Sequence, residues 1–149
     1  SQSIKAKQSV ALHVRRGDYF NNAKALKRYG LCSVDYYQKA IAHLSQHLTD
    51  PHFYVFSDDP KWVVDNLSMP GQCTFVSAKD ITPEQDLILI SQCKHQIIAN
   101  STFSWWGAWL NSHYDKIVVY PTPWFNEQAI NANDLVPHNW HPIAKNSTA

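Results

Sequence analysis

The sequence lacks the features that mark nucleic-acid-binding and membrane-spanning proteins. A formal net charge of +1 over 149 residues is far from the basic excess that neutralises many phosphates of a nucleic acid. No run approaches the roughly 18 apolar residues of a membrane span. The first residues, SQSIKAKQSVALHV, contain no signal-peptide core. These absences predict a cytoplasmic protein, at most peripheral to the inner face of the membrane, whose phosphate contacts are local.

Patterns typical of metal sites are missing as well. The three cysteines, Cys32, Cys73 and Cys93, form no CxxC pair, and their odd number and wide spacing favour a reducing compartment. The eight histidines show no HExxH or other paired ligand spacing. We therefore predict no bound metal.

The pattern of apolar residues predicts one α/β domain. With 149 residues, 44% of them hydrophobic, the chain is long enough for one core and too short for two ordinary domains. Strand-length apolar runs alternate with helix-period stretches, as in a parallel sheet covered by helices. A polar loop follows the first strand, and an irregular tail follows the last. The predicted strands are 9–14, 53–57, 74–77, 95–99 and 116–120. The first predicted helix runs to Leu48 from a cap at either Ser33 or Asp35, and the others are 61–67, 83–94 and 103–111.

The first candidate site follows the first predicted strand. His13, Arg15, Arg16 and Asp18 lie at or just past its carboxyl end, where open α/β sheets bind their ligands. An arginine can hold two phosphate oxygens, and neighbouring side chains leave a strand in opposite directions. We therefore expect one arginine to face a ligand and the other to brace the loop against Asp18. A surface salt-bridge cluster is the alternative.

The second candidate site is the strand, turn and helix of IIANSTFSWWGAWL, residues 97–110. Backbone N–H groups at the helix start, with the hydroxyls of Ser101 and Thr102, can bind an anion without a basic side chain. N-capping by these hydroxyls is a compatible alternative. The helix tryptophans are predicted to be core residues; they are Trp105, Trp106 and Trp109.

A third candidate site is the carboxylate pair that ends the second predicted strand. Asp58 and Asp59 lie at the same edge of the sheet as the first two sites, where a carboxylate can accept two hydrogen bonds from guanine. A simple helix cap is an equal alternative. A metal clamp is less favoured because adjacent carboxylates point apart.

Taken together, these segments resemble the bacterial α-1,2-fucosyltransferases over nearly the whole chain. Such enzymes have two Rossmann-type domains facing across a cleft, the GT-B arrangement, and residues 1–149 correspond only to the second, donor-binding domain. The acceptor-side, N-terminal domain would then be absent from this chain. The matching segments, in order, are LHVRRGDY, CSVDYYQKAI, FSDDPKWV, CKHQIIANSTFSWWGAWLN, PTPWF and LVPHNW.

The resemblance implies roles for the candidate residues in binding GDP-fucose. Arg15 would contact the β-phosphate, His13 the nucleotide, and Asp58 or Asp59 the guanine, with Arg16 in the same binding segment as Arg15. The residues implied at the diphosphate and its surroundings are Ser101, Thr102 and Phe103.

The implied reaction is a metal-independent, inverting transfer of L-fucose from GDP-β-L-fucose to a hydroxyl of an acceptor glycan, α-1,2 to galactose, without a further cofactor. Arg15 would stabilise the leaving diphosphate. The general base would come from the missing half, or else be Asp18 or His13. We expect the isolated chain to be inactive. The alternatives are a GDP-binding module without activity of its own and a transferase for another nucleotide sugar.

Overall fold

One parallel sheet with helices between its strands forms the described part of the protein, residues 8–17, 21–76, 82–126 and 135–146 of a computed structural model. All neighbouring strands run parallel, which confirms the predicted Rossmann-like α/β fold. The strands are β1 (Ser9–Val14), β2 (His52–Ser57), β3 (Gln72–Phe75), β4 (His95–Ile97), β5 (Val118–Thr122) and β6 (His141–Ala144). The helices are α1 (Ala23–Tyr29), α2 (Val34–His47), α3 (Pro60–Asn66), α4 (Pro83–Gln92) and α5 (Thr102–Leu110).

The order of the strands reverses in the middle of the sheet. Across the sheet they run β3-β2-β1-β4-β5-β6, so that the chain moves outward in one direction from β1 and in the other from β4. Leu12 of β1 lies opposite Ile97 of β4. In open α/β sheets such a reversal leaves a crevice at the carboxyl ends of the two central strands.

Each face of the sheet is covered by its own helices. Alternate residues of β1 point to opposite faces, and Leu12 packs in one buried cluster with residues of α2 such as Ile41. Ala11 packs in a second cluster with Ile90 of α4 and Phe103 of α5. Because both faces are covered, every residue of β1 is buried, as is usual for central strands of a parallel sheet.

Capping residues begin the helices that the sequence predicts. Ser33 accepts a hydrogen bond from the Tyr36 N–H at the start of α2, and Thr82 and Gln85 form a reciprocal capping box at the start of α4. Predicted and observed ends of these helices differ by one or two residues, because caps define a start more sharply than apolar periodicity defines an end. No helix in the described ranges is long and apolar enough to cross a membrane.

Two elements were not predicted from the sequence. Helix α1 lies where a polar loop was expected; it buries none of its residues and therefore shows no apolar stripe, although Asn22 caps it and Gly30 ends it. Strand β6 lies where an irregular tail was expected. It contains Pro142 and is an exposed edge strand. Its sequence therefore shows neither an alternation of apolar and polar residues nor a high β propensity that would have predicted a strand.

Three strands are displaced from their predicted bounds. The strand predicted at 74–77 is Gln72–Phe75, that at 95–99 is His95–Ile97, and that at 116–120 is Val118–Thr122. Ile98 and Ala99 are completely buried beyond the end of β4. The apolar run therefore extends two residues beyond the strand, because these residues are buried after the strand pairing of β4 has ended.

The prediction that the α5 tryptophans are core residues is wrong for two of them. Trp106 is 49% and Trp109 51% exposed, whereas Trp105 is half-buried and donates its indole N–H to the Leu135 carbonyl at 2.8 Å. Trp105 and Trp109 stack with their ring planes 6° apart. The helix is apolar all round, so the sequence could not distinguish its buried face from its exposed one.

Gly107 allows α5 to pack closely against α4. A Cβ atom at Gly107 would lie 2.5 Å from Cγ2 and 3.1 Å from Cβ of Ile90. Gly107→Ala should lower the free energy of unfolding by about 1 to 2 kcal/mol, because this overpacking outweighs the roughly 1 kcal/mol that alanine contributes as a better helix former. Chemical denaturation measures the change. In the double variant with Ile90→Ala the clash should be relieved, so Gly107→Ala should cost less free energy of unfolding there than in the parent. If the free-energy changes of the two substitutions simply add, the two residues do not pack as described.

His95 should make the fold sensitive to acid. Its Nδ1 accepts the Ile117 N–H at 2.9 Å, and burial lowers its pKa from 6.5 to about 4. The unfolded chain therefore binds a proton at His95 more readily than the folded chain does. The contribution of neutral His95 to the free energy of unfolding is complete above about pH 6.5 and is lost as the pH falls towards 4. The loss should reach about 1 to 2 kcal/mol, reduced by partial solvent access, and thermal melts at a series of pH values measure it.

His95→Asn is the matched control for this pH dependence. Asparagine keeps an acceptor near the Nδ1 position but does not titrate. Its melting temperature should therefore fall less steeply with acidity than that of the parent, and identical slopes for the two proteins would show that another group is responsible.

Candidate functional site

The strand reversal brings the two predicted phosphate-binding segments together. The HVRRG segment, residues 13–17, includes the last two residues of β1 and continues beyond its carboxyl end. The ANST segment, residues 99–102, follows the carboxyl end of the neighbouring strand β4. The rings of His13 and Phe103 lie 5.7 Å apart between centroids. Two residues that are 90 positions apart in the chain thus meet at the carboxyl edge of the central strands, where open α/β sheets form their ligand crevice.

His13 is a buried, uncharged side chain in this crevice. It is 7% exposed, and its Nδ1 has no hydrogen-bond partner among the described residues. Burial and then the charge of Arg15 lower its pKa to about 4, against a smaller opposing effect of Asp58. At neutral pH the imidazole is therefore neutral, able to exchange a hydrogen bond with a ligand but poorly suited to act as a general base.

The two arginines differ in their surroundings. The Arg16 guanidinium lies 4.0 Å above the ring of Trp62 in α3. Trp62 packs edge-on against Tyr37 of α2, so Arg16 lies on the side of the sheet that α2 covers. The charge of Arg15 instead acts on His13, on the side of α5. Asp18 lies outside the described residues, so its pairing with an arginine and its catalytic role stay predictions.

Asp58 and Asp59 make different contacts. Asp58 accepts the backbone N–H of Arg16 at 2.9 Å and so ties the end of β1 to the end of β2. Asp59 accepts the N–H of Trp62 at 3.1 Å and is the N-cap of α3, which confirms the capping alternative for this residue. A guanine contact by either carboxylate stays a prediction.

At the start of α5, Ser101 caps the helix and Thr102 faces solvent. The Ser101 hydroxyl is buried and accepts the N–H of Phe103 at 3.2 Å. Thr102 is exposed as the first helical residue, which is where an anion would meet the helix N-terminus. The capping alternative holds for Ser101, while anion binding by these residues stays a prediction.

The residue before this turn anchors it, and the sequence analysis did not assign it a role. Asn100 is 1% exposed, and its side-chain amide donates to the carbonyls of Tyr29, Gly30 and Trp124 at 2.7, 3.2 and 3.3 Å. A polar residue within an apolar strand end was the available signal. Its partners lie far away in the chain, and nothing in the sequence indicates them.

No group of three His, Cys, Asp or Glu side chains is arranged to hold a metal ion within the described ranges. The Arg16 guanidinium is stacked over Trp62, whereas Arg15 and the N-terminus of α5 lie at the carboxyl edge of the two central strands. Such groups can stabilise a diphosphate directly.

Comparison with known proteins identifies the family. A sequence model described as glycosyl transferase family 11 matches residues 2–144. The chain belongs to glycosyltransferase family 11. This membership confirms the resemblance inferred from the LHVRRGDY and NSTFSWWG segments.

Similar members of glycosyltransferase family 11 come from bacteria and mammals. The chain is 41% identical to the alpha-1,2-colitosyltransferase of Escherichia coli over 97% of this chain and 51% of that protein. It is also 41% identical to the O-antigen biosynthesis glycosyltransferase WbnK of Escherichia coli over 89% of this chain and 43% of that protein. Identity to human galactoside alpha-(1,2)-fucosyltransferase 1 is 31%, over 68% and 28% of the two chains. The chain thus spans about half the length of these bacterial family members.

Alanine substitutions should separate the two arginines of this family 11 site. Arg15→Ala should weaken binding of GDP, the predicted nucleotide, by about 1.5 to 3 kcal/mol, the range of a hydrogen bond to a charged group, without changing the melting temperature. Arg16→Ala should lower the melting temperature, because it removes a cation–π contact of about 0.5 to 1 kcal/mol, and should weaken GDP binding only slightly. Calorimetry and thermal melts on the same samples measure both quantities.

The reverse pattern, with Arg16→Ala losing GDP and Arg15→Ala binding normally, would exchange the roles of the two arginines. If neither substitution affects GDP, the HVRRG segment is not the phosphate site.

Proposed function

We propose that this chain is the donor-binding part of an α-1,2-fucosyltransferase that uses GDP-β-L-fucose. The observation that carries the proposal is the meeting of the HVRRG and ANST segments at the strand reversal between β1 and β4. An arginine and a helix N-terminus at one crevice are a combination suited to a nucleotide diphosphate. The family 11 relatives include proteins named as α-1,2-fucosyltransferases.

The reaction proposed is an inverting displacement at the anomeric carbon of fucose. The acceptor oxygen forms a bond to that carbon while the bond to the β-phosphate oxygen breaks, so the β-linked donor becomes an α-linked product and GDP leaves. Negative charge grows on the diphosphate, where Arg15 and the N–H groups at the start of α5 stabilise it. Fixed donors of this kind are often worth about 3 to 4 kcal/mol each.

The proton of the acceptor hydroxyl has to pass to a general base. His13, with a pKa of about 4, holds a proton too weakly at neutral pH to be an effective base. We therefore place the base on the acceptor-binding part of the longer family members, with Asp18 as the alternative within this chain. The isolated chain should then bind donor without transferring sugar.

A donor with a different sugar is the second candidate. It is favoured by the 41% identity to an alpha-1,2-colitosyltransferase, which exceeds the 30 to 33% identity to the mammalian fucosyltransferases. Both candidates share the α-1,2 linkage in the relatives' names. They differ only in the sugar that lies beyond the diphosphate.

Calorimetric titration of the 149-residue chain tests the proposal. GDP should bind with a Kd between micromolar and millimolar, UDP and ADP should bind more weakly, and EDTA should change none of these values because Arg15 and backbone donors replace a metal. Arg15→Ala is the matched control for non-specific phosphate binding, since it should lose GDP affinity.

Folded protein that binds no GDP at millimolar concentration would refute the donor-site assignment, and a requirement for Mg²⁺ or Mn²⁺ would refute the metal-independent mechanism. GDP-fucose that competes no better than GDP, together with tighter binding of a GDP-linked colitose, would favour the second candidate. GDP binding without transfer in the full-length enzyme would identify a binding module.

A further inference from the structure

Lys145 is a buried lysine just beyond β6, at the same edge of the sheet as the candidate site. Its side chain is completely buried, and burial lowers its pKa. Its Nζ donates to the Tyr29 carbonyl at 2.5 Å and to the Asn126 Oδ1 at 2.6 Å. Burying an ammonium group is costly unless its hydrogen bonds are satisfied, so this arrangement strongly constrains the groups around it.

The carbonyl that Lys145 contacts is shared with the candidate site. The Tyr29 carbonyl also accepts the Asn100 side-chain amide at 2.7 Å. Asn100 directly precedes Ser101, and Tyr29 ends α1, the helix that follows the HVRRG segment. One backbone carbonyl therefore links the chain after β1 to the chain after β4.

A third segment joins the same point. The Asn126 N–H donates to the Arg28 carbonyl at 2.7 Å. The Asn126 side chain packs so closely on Gly30 that a Cβ atom there would lie 2.6 Å from its Nδ2. Gly30 has a φ of +70°, a conformation that favours glycine. We call Tyr29, Asn100, Asn126 and Lys145 the Tyr29 junction.

We propose that Lys145 is a positioning residue of the donor site: through the Tyr29 junction its ammonium fixes the HVRRG segment relative to the start of α5. This inference rests on the proposed function, since it assigns the junction to a diphosphate that bridges the two segments. Lys145 does not itself contact the ligand. Its effect on binding is to remove the freedom of two segments that must act together.

Lys116, a half-buried lysine whose ammonium also donates to backbone carbonyls, provides a control for Lys145. Its Nζ donates to the Ala108 and Asn111 carbonyls, both at 2.9 Å, and desolvation lowers its pKa too. These carbonyls lie at the end of α5, at the opposite edge of the sheet from the crevice. Lys116→Met thus removes a similar capping interaction without touching the Tyr29 junction.

The experiment compares Lys145→Met with Lys116→Met at a temperature where both remain folded. Lys145→Met should weaken GDP binding at least fivefold, whereas Lys116→Met should change it less than twofold even if both variants melt earlier than the parent. Hydrogen exchange of the backbone amides of Phe103 and Trp105, which both donate to Ser101, should accelerate in Lys145→Met only. An equal effect of the two substitutions on GDP and on exchange would overturn the proposal.

Asn126→Ala tests the same junction if Lys145→Met does not fold. Asn126 is exposed, and the substitution removes one acceptor of Lys145 while keeping the backbone bond to Arg28. It should weaken GDP binding about threefold and accelerate amide exchange at Phe103 and Trp105; unchanged values would overturn the proposal. Failure of the parent to bind GDP would instead refute the proposed function, and the exchange measurement would still decide whether the junction orders this turn.

Discussion

The reversal of strand order between β1 and β4 is the constraint on which the rest of the site depends. Helix α2, which lies between β1 and β2 in the chain, covers one face of the sheet, and α5, the helix after β4, lies on the other. The chain therefore leaves the two central strands in opposite directions and keeps the space between their carboxyl ends open. Without this topology the HVRRG and ANST segments would be two unrelated loops. With it, the two segments lie side by side at the carboxyl ends of neighbouring strands.

Positive groups at this edge of the sheet serve different purposes. Arg16 lies over Trp62, and Lys145 is enclosed by carbonyl and amide oxygens, so both hold protein segments in place. His13 is kept neutral by burial and by Arg15. Arg15 is the basic group that we assign to the ligand. In our proposal these fixed cationic groups hold the two segments in place, which reduces the ordering that binding would otherwise require.

The length of the family members bears on the division of catalytic labour. The chain aligns with 51% and 43% of its two bacterial relatives, and it contains the residues to which we assign the leaving diphosphate, Arg15 and the start of α5. A low pKa makes His13 a poor proton acceptor. In the mechanism that we propose, leaving-group stabilisation therefore belongs to this half, and activation of the acceptor belongs to the other.

The sequence alone determined the local features: strand β1 with its exact bounds, the capping box at Thr82, the parallel α/β class and the two candidate phosphate segments. Each depends on residues close together in the chain, through periodicity or a side chain that bonds a nearby N–H. The exposure of Trp106 and Trp109, the edge strand β6 and the Tyr29 junction were decided by tertiary structure. These features depend on partners far away in sequence. An all-apolar helix does not reveal which of its faces is covered, and an edge strand needs no alternation of apolar and polar residues. A lysine near the end of the described chain carries no sign that it will be buried against a carbonyl 116 positions away.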